Sequence, residues 1–113
     1  MCRKIIAFGS HYDDFMQTLG ADARRKLHYV LDILASEERI STKFVKHIRD
    51  GLYEIRIESG GNIYRVFFIF DEGRIVVLFH GFQKKSQATP EKEIKKAFEI
   101  RRKYNEFKRN QKR

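Results

Sequence analysis

Residues 52–82 read LYEIRIESGGNIYRVFFIFDEGRIVVLFHGF, and this stretch decides the fold. Its first segment, LYEIRIE, alternates apolar and charged residues, as in a strand with one buried face. The segment IYRVFFIF is apolar on both faces except at Arg65, so we predict a central strand there. RIVVLFHGF supplies a third apolar run, and the glycines of SGGN and DEG suit the two intervening turns. The stretch therefore predicts a three-stranded antiparallel meander.

Two helices are predicted before the meander. Apolar residues recur at i, i+3, i+4 and i+7 within residues 12–19, where Ser10 provides an N-cap. The same spacing recurs within residues 23–34. A short β-prone run, residues 4–8, precedes both helices, whereas residues 36–50 show no clear period.

A third helix is predicted after the meander, with Thr89 as its N-cap and Pro90 as its first residue. Phe98, Tyr104 and Phe107 lie among many cations in this helix. They either follow a nucleic-acid backbone or form a core-facing stripe below a solvated basic face. The elements together predict an α+β fold with the helices against one face of a small sheet.

The charge of the chain points to a polyanionic partner. The 113 residues, which we expect to form one domain over 1–113, carry a net charge of +9 and have a pI of about 9.8. Residues 84–113 contain twelve Lys or Arg and four Glu, so +8 of this charge lies in the last thirty residues. We expect this basic tail to fray from about residue 108.

The remaining composition fits a cytoplasmic protein. Cys2 is the single cysteine and cannot form an internal disulfide. No apolar run approaches the roughly 18 residues of a membrane span. No His, Cys, Asp or Glu spacing is typical of a metal site, so we expect neither a metal nor a cofactor.

Arg65 is the most unusual residue of the chain. A charge within a two-sided apolar strand costs several kcal/mol unless it is paired or solvated. It can form a salt bridge to Glu54 or Glu58 across the hairpin, or its planar guanidinium can bind a phosphate. The sequence leaves both interpretations open.

Further polar residues lie close to the predicted position of Arg65. Arg56 belongs to the neighbouring strand and can share one face of the sheet with it. His80, Gln83, Lys84 and Lys85 cluster where the third strand ends. A histidine there can transfer protons near neutral pH, and two lysines can neutralise charge developing on a phosphate. The alternative is an ordinary solvated strand end.

Residues 44–104 contain a series of motifs that resembles a known family. The elements are K-x-(L/I)-R-x-GLYE-(L/I)-R, YR-(V/I), the DEG turn, HGF-x-KK-(S/T)-x-x-TP and a helix ending in R-x-x-Y. This series resembles the RelE/HigB toxins of bacterial type II toxin–antitoxin systems, in particular their phage-derived, HigB-like branch. The resemblance implies a fold similar to that of the small microbial ribonucleases. In that fold two N-terminal helices pack on a curved antiparallel sheet, whose opposite, concave face binds RNA.

The resemblance also implies a ribosome-dependent mRNA endoribonuclease that inhibits translation. In such an enzyme the ribose 2′-hydroxyl attacks the adjacent phosphate without a metal. Arg65 matches the arginine that stabilises the scissile phosphate, and Arg56 matches a cation of the catalytic face. Lys84 and Lys85 match a basic position after the last strand, and His80 is the candidate for proton transfer.

Other residues are expected to bind RNA beside this catalytic set, and Tyr104 can also fill the place of an acid or base. These RNA-binding candidates are Phe82, Gln83, Arg101, Arg102 and Tyr104.

The resemblance implies three kinds of partner and no membrane. They are a helix-turn-helix antitoxin from the adjacent gene, operator DNA bound through the toxin–antitoxin complex, and the small ribosomal subunit with its mRNA. One alternative is a non-catalytic, ParE-like toxin that inhibits DNA gyrase, and another is a basic nucleic-acid-binding module. Lys84 and Lys85 favour the nuclease over the ParE-like toxin.

Overall fold

The computed structural model describes residues 2–85 and 89–111, which form a five-stranded sheet and three helices. In chain order the elements are β1 (Lys4–Ala7), α1 (His11–Gln17), α2 (Ala21–Ser36), β2 (Val45–Arg49), β3 (Leu52–Ser59), β4 (Asn62–Asp71), β5 (Ile75–Lys84) and α3 (Glu91–Gln111). The strand order across the sheet is β1-β5-β4-β3-β2.

The predicted meander is confirmed. Strand β4 pairs antiparallel with β3 on one side and with β5 on the other, and it is the central strand of the sheet. Gly60 and Gly61 form the first turn with φ angles of 58° and 79°, which a side chain would disfavour. This short turn fixes the register, in which Arg56 pairs directly with Arg65.

One strand, β2, and the pairing of another, β1, were not predicted, although the β-prone run at residues 4–8 does form the strand Lys4–Ala7. The sequence did not predict β2, which pairs antiparallel with β3 and has mostly exposed residues and a bulge between His47 and Arg49. A short edge strand with a bulge lacks the two-residue period on which a strand prediction depends. Strand β1 pairs in parallel with β5, so the sheet is mixed and not purely antiparallel.

The helices cover both faces of the sheet, and the prediction that they lie against one face was wrong. Helices α1 and α2 pack on the face that includes Val66 and Phe68, whereas α3 packs on the face that includes Phe67 and Phe79. The physical reason lies in β4 and β5 themselves, because strands that are apolar on both faces need a cover on each.

Helix α3 begins at Glu91, one residue after the predicted start, and extends to Gln111. The expected fraying from about residue 108 is therefore not observed as far as Gln111. The ammonium of Lys108 donates to Asp71 at the end of β4, at 2.7 and 2.9 Å, and this contact holds the last turns of the helix to the sheet.

On its own face of the sheet, α3 packs over only part of the strands. The row Leu52, Ile69 and Val77 belongs to the core below this helix. Four residues nearer the β3–β4 turn on each strand, and on the same face of the sheet, Arg56 lies directly beside Arg65. The fold thus leaves a polar strip next to an apolar one on the same face.

Candidate functional site: a basic cleft

A cleft of about 320 Å³ lies over this polar strip. Its lining residues come from the segment leading into β2 and from strands β2 to β5. They are Thr42, Lys43, Phe44, Val45, Lys46, Arg56, Ile63, Arg65 and Lys84. Five of these side chains are cationic and none is a carboxylate. We call this depression the basic cleft.

The strand register brings its cations together. Arg56 on β3 pairs with Arg65 on β4, and Ile63 on β4 pairs with Lys84 on β5. Residues directly opposite in an antiparallel pair point to the same face, so these side chains project from one side of the sheet. Lys46 joins them from the edge strand β2.

Burial and the proximity of these cations lower the pKa of Lys84. Partial burial lowers the pKa of Lys84 first, and the positive charges of Arg65, Arg56 and Lys46 lower it further. Cations held this close repel one another, and an anion in the cleft would remove that repulsion. The arrangement therefore favours a bound polyanion such as a nucleic-acid backbone.

Arg65 lies at the floor of the basic cleft and is only 4% exposed. Its guanidinium forms an ion pair with Glu54, which is fully buried. The hydroxyl of Thr89, just before α3, donates a hydrogen bond of 3.4 Å to the same carboxylate. Of the two interpretations that the sequence left open, the structure shows the salt bridge, and it shows Glu54 rather than Glu58 as the partner.

Arg56 is the more accessible arginine of the pair. It contacts Glu58 at 3.1 Å, and both side chains are exposed. An ion pair in solvent contributes little, about 0–1 kcal/mol, so a phosphate can replace this carboxylate. Arg56 is thus free to bind a ligand in a way that Arg65 is not.

The structure places His80, the predicted proton-transfer residue, away from the cleft. The ring is 3% exposed, lies 5.4 Å from the Phe67 ring, and its Nε2 is 3.0 Å from Glu93 Oε1 at the start of α3. Burial lowers the pKa of His80, so the ring is neutral at pH 7. In this position His80 ties α3 to the sheet.

The neighbours of His80 have separate environments. Phe82 packs against Phe67 at a centroid distance of 5.4 Å, and the amide of Gln83 donates to Asn62 Oδ1 at 3.0 Å. Lys84 lines the basic cleft, whereas Lys85 is exposed and does not. Of the two adjacent lysines, Lys84 is therefore the one that joins the site.

Tyr104 lies far from the cleft, although it was predicted to bind RNA. Its hydroxyl donates to Asp71 Oδ2 at 2.6 Å, six residues along β4 from Arg65 and hence about 20 Å away. Burial and the Asp71 carboxylate raise the pKa of Tyr104, so the hydroxyl stays protonated. Tyr104 therefore anchors α3 and lies too far from the cleft to take part in its chemistry.

Arg101 and Arg102 also lie outside the cleft. The guanidinium of Arg101 stacks over Phe98 at 4.5 Å and donates to the carbonyl of Asp50. Arg102 forms exposed ion pairs along its own helix, with Glu99 and Glu106. The basic side chains of α3 that were expected to bind RNA thus already have partners within the protein.

Sequence reasoning missed Lys43, Phe44 and Lys46 as site residues. They lie in or just before β2, the strand that the sequence did not reveal. Lys46 pairs with Glu54 on β3, the strand that forms a hairpin with the strand of Arg65. This proximity could have identified Lys46 only if β2 had already been placed beside β3.

The fold and the cleft define a small α+β protein with a cationic cleft on its sheet. Residues 14–102 match the family described as "Phage derived protein Gp49-like (DUF891)", and the chain belongs to this family. It is a toxin-like family known from toxin–antitoxin systems. The match extends from α1 to the middle of α3 and includes every residue of the basic cleft. The chain has no significant match among curated proteins.

Two further properties concern residues 2–85 and 89–111 only. Within them, no helix combines the length and the apolar character needed to cross a membrane. Over the same ranges, no group of three or more His, Cys, Asp or Glu side chains is arranged to hold a metal ion.

Proposed function

We propose that the chain is a RelE/HigB-like toxin of a type II toxin–antitoxin system that inhibits translation as a ribosome-dependent mRNA endoribonuclease. One observation carries the proposal. Five cationic side chains and no carboxylate line a cleft on the open part of the sheet. Membership of a toxin-like, phage-derived family supports it.

The proposed reaction is an internal transesterification of RNA. The 2′-oxygen forms a bond to the adjacent phosphorus, and the bond between phosphorus and the 5′-oxygen breaks. Overall, one proton passes from the 2′-hydroxyl to the leaving 5′-oxygen, which gives a 2′,3′-cyclic phosphate and a 5′-hydroxyl. Negative charge develops on the phosphate oxygens in the transition state, and preorganised cations around that position lower the barrier.

Three of the cations in the basic cleft differ in exposure and pKa, and we propose a different role for each. Arg56 is exposed and can present two N–H groups to a phosphate. Lys84 has a lowered pKa, which makes its ammonium a better proton donor to the leaving oxygen. Arg65 is held at the cleft floor by Glu54, whose carboxylate offsets its charge, so it positions the floor below the other two cations.

The lining of the basic cleft also supports a requirement for the ribosome. Among the residues that the structure describes, this lining includes no carboxylate and no imidazole that could take the proton of the 2′-hydroxyl. Cleavage then depends on the geometry that the ribosome imposes on the codon, because orientation alone can accelerate such a reaction greatly. A helix-turn-helix antitoxin from the adjacent gene, and operator DNA bound through the complex, are the other proposed partners.

Primer-extension mapping of an mRNA on programmed ribosomes tests the proposal. The wild type is expected to cut within codons, and an Arg56→Ala/Lys84→Ala variant is expected to lose about 100-fold or more in rate. A matched control, Lys92→Ala/Lys103→Ala, removes two exposed cations of α3 outside the cleft and is expected to cut at the wild-type rate.

Two outcomes would overturn the proposal. One is cleavage at full rate by the folded Arg56→Ala/Lys84→Ala variant. The other is an intact mRNA on ribosomes treated with the wild type. Inhibition of DNA supercoiling by the purified wild type, without mRNA cleavage, would instead support the ParE-like alternative.

A further inference from the structure

A second depression, of about 590 Å³, lies between α2, the segment before β2 and strand β3. Its lining combines aromatic and apolar side chains with three cations. The residues are Lys26, Tyr29, Val30, Thr42, Lys43, Phe44, Arg56, Ile57 and Glu58. We call this depression the aromatic groove.

The wall of the aromatic groove contains an unusually exposed aromatic ring. Tyr29 is 59% exposed, and only Phe107, at 49%, is comparable among the large apolar side chains of the described residues. The rings of Tyr29 and Phe44 are nearly perpendicular, at 81°, with a centroid distance of 6.0 Å, and the ammonium of Lys43 lies 5.6 Å from the Phe44 centroid. Partly buried Phe44 therefore supports the exposed Tyr29 ring, which offers a stacking surface close to a positive charge.

The aromatic groove is continuous with the basic cleft. Thr42, Lys43, Phe44 and Arg56 line both depressions. Arg56 and the segment before β2 therefore lie between the two depressions, and a ligand that passes Arg56 at this edge of the sheet reaches the aromatic rings. This continuity is what makes one extended ligand reasonable.

The charge of the groove selects the kind of ligand. Lys26, Lys43 and Arg56 face a single carboxylate, Glu58. The ammonium of Lys26 donates to the backbone carbonyl of Glu58 at 2.8 Å, which holds this cation at the rim. Among the described residues, Lys26 also pairs with Asp22 at 3.4 Å and Arg56 pairs with Glu58 at 3.1 Å, so the excess of positive charge in the groove is that of Lys43.

We propose that the aromatic groove binds an unpaired nucleobase of the same RNA strand whose phosphates occupy the basic cleft. The base stacks on the exposed ring of Tyr29, beside the nearly perpendicular ring of Phe44, and the adjoining phosphate lies near Lys43. Single-stranded nucleic acids are held in this way, by aromatic platforms set along a line of cations. The inference rests on the proposed function and adds a base-binding subsite to it.

A nucleobase fits these observations better than an acidic peptide does. A peptide gains its specificity from pockets for several side chains or from a free strand edge. The groove instead presents two neighbouring rings flanked by cations, and it opens directly onto a cleft suited to phosphates. Stacking is tolerant of sequence, so the subsite is expected to add affinity without strong base preference.

Fluorescence anisotropy with a labelled six-nucleotide single-stranded RNA at low salt tests the inference. Tyr29→Ala is expected to weaken binding by about 5- to 100-fold, because stacking one base on an aromatic ring contributes about that much. Tyr29→Phe keeps the ring and is expected to bind within about twofold of the wild type. Phe107→Ala removes a similarly exposed ring elsewhere and serves as the matched control.

An RNA with abasic sites keeps the phosphates and removes the bases. With that RNA the effect of Tyr29→Ala is expected to disappear, which assigns the loss to stacking. Urea unfolding of each variant ensures that only folded proteins are compared.

Three outcomes would overturn the inference. The first is wild-type RNA affinity in Tyr29→Ala while Arg56→Ala/Lys84→Ala binds weakly; the proposed function would then stand without the base subsite. The second is no binding of the RNA by the wild type, in which case the ribosome assay decides the proposed function separately. The third is that Tyr29→Ala loses binding of the antitoxin but keeps its RNA affinity, which would make the groove a protein-docking surface.

Discussion

Separating the buried Glu54–Arg65 pair is expected to remove a large share of the stability of this protein. Arg65→Met and Glu54→Gln each leave one partner in the core, where Glu54 is fully buried and Arg65 is 4% exposed. Removing one partner of a buried ion pair costs about 3–5 kcal/mol. A small domain has about 5–15 kcal/mol of stability in total, so either variant loses a large share of it.

The double variant Glu54→Gln/Arg65→Met distinguishes this explanation from a simple loss of packing. Both charges are gone, so no unpaired ion remains in the core, and the double variant is expected to be more stable than either single variant. Urea unfolding followed by far-UV circular dichroism measures all four proteins, and an unchanged m-value shows that the midpoints report stability alone. In thermal unfolding, a loss of 3 kcal/mol corresponds to a decrease in Tm of roughly 10–25 °C.

The reasoning is refuted if Arg65→Met unfolds within about 1 kcal/mol of the wild type at the same m-value. It is also refuted if the costs of the two single variants simply add in the double variant. The role that the resemblance implies for Arg65 would make Arg65→Ala abolish cleavage and leave the fold intact. Because its partner Glu54 lies in the core, loss of cleavage in Arg65→Ala would not separate lost chemistry from lost stability, so Arg56 and Lys84 are the residues with which to test the chemistry.

Three further predictions concern single residues. Lys84→Gln relieves repulsion in the basic cleft, so it is expected to raise the free energy of unfolding by about 0.5 kcal/mol. The same variant loses one phosphate contact, so the slope of the logarithm of the RNA association constant against the logarithm of the salt concentration should decrease in magnitude by about 0.7. Burial lowers the pKa of His80, so the unfolded chain binds its proton more readily. Stability should therefore fall as pH drops below about 6.5, by up to about 1.4 kcal/mol per unit, and His80→Gln should lose this slope in urea titrations at several pH values. Gly81→Ala places a methyl group against the ring of Phe15 and is expected to cost about 1–3 kcal/mol in the same measurement.

Contrary results are easily recognised for each of them. Lys84→Gln contradicts the interpretation if RNA affinity keeps its full dependence on salt. For His80, the decisive result is a pH slope that persists in His80→Gln. For Gly81→Ala, wild-type stability would mean that helix α1 moves away from β5 at little cost.

The meander was predictable because its information is local. Alternation in LYEIRIE, two-sided apolarity in IYRVFFIF and two glycines in the first turn each concern a few adjacent residues. The two-sided apolarity of the central strands also requires a cover on each face of the sheet, which the helices on its two faces provide. The β-prone run at residues 4–8 also predicted β1, but its parallel pairing with β5 and the whole of strand β2 were not predictable, because both depend on a neighbour elsewhere in the sheet.

The candidate site was predictable only in part for the same reason. Arg56, Arg65 and Lys84 come together through the hairpin register, which the short turn at Gly60 and Gly61 fixes. His80 was assigned to proton transfer from its type and its place near a strand end. Its burial depends on Glu93, thirteen residues later on α3, and no local pattern encodes that contact.

The parallel pairing of β1 with β5 has a consequence for how the chain acquires its structure. Lys4 pairs with Ile75, 71 positions later, whereas the meander strands are joined by short turns. Closing a long loop costs more chain entropy than closing a short one, and topologies with distant partners fold more slowly. During synthesis β1 can pair only after β5 has been made, so we expect this edge of the sheet to form after the meander.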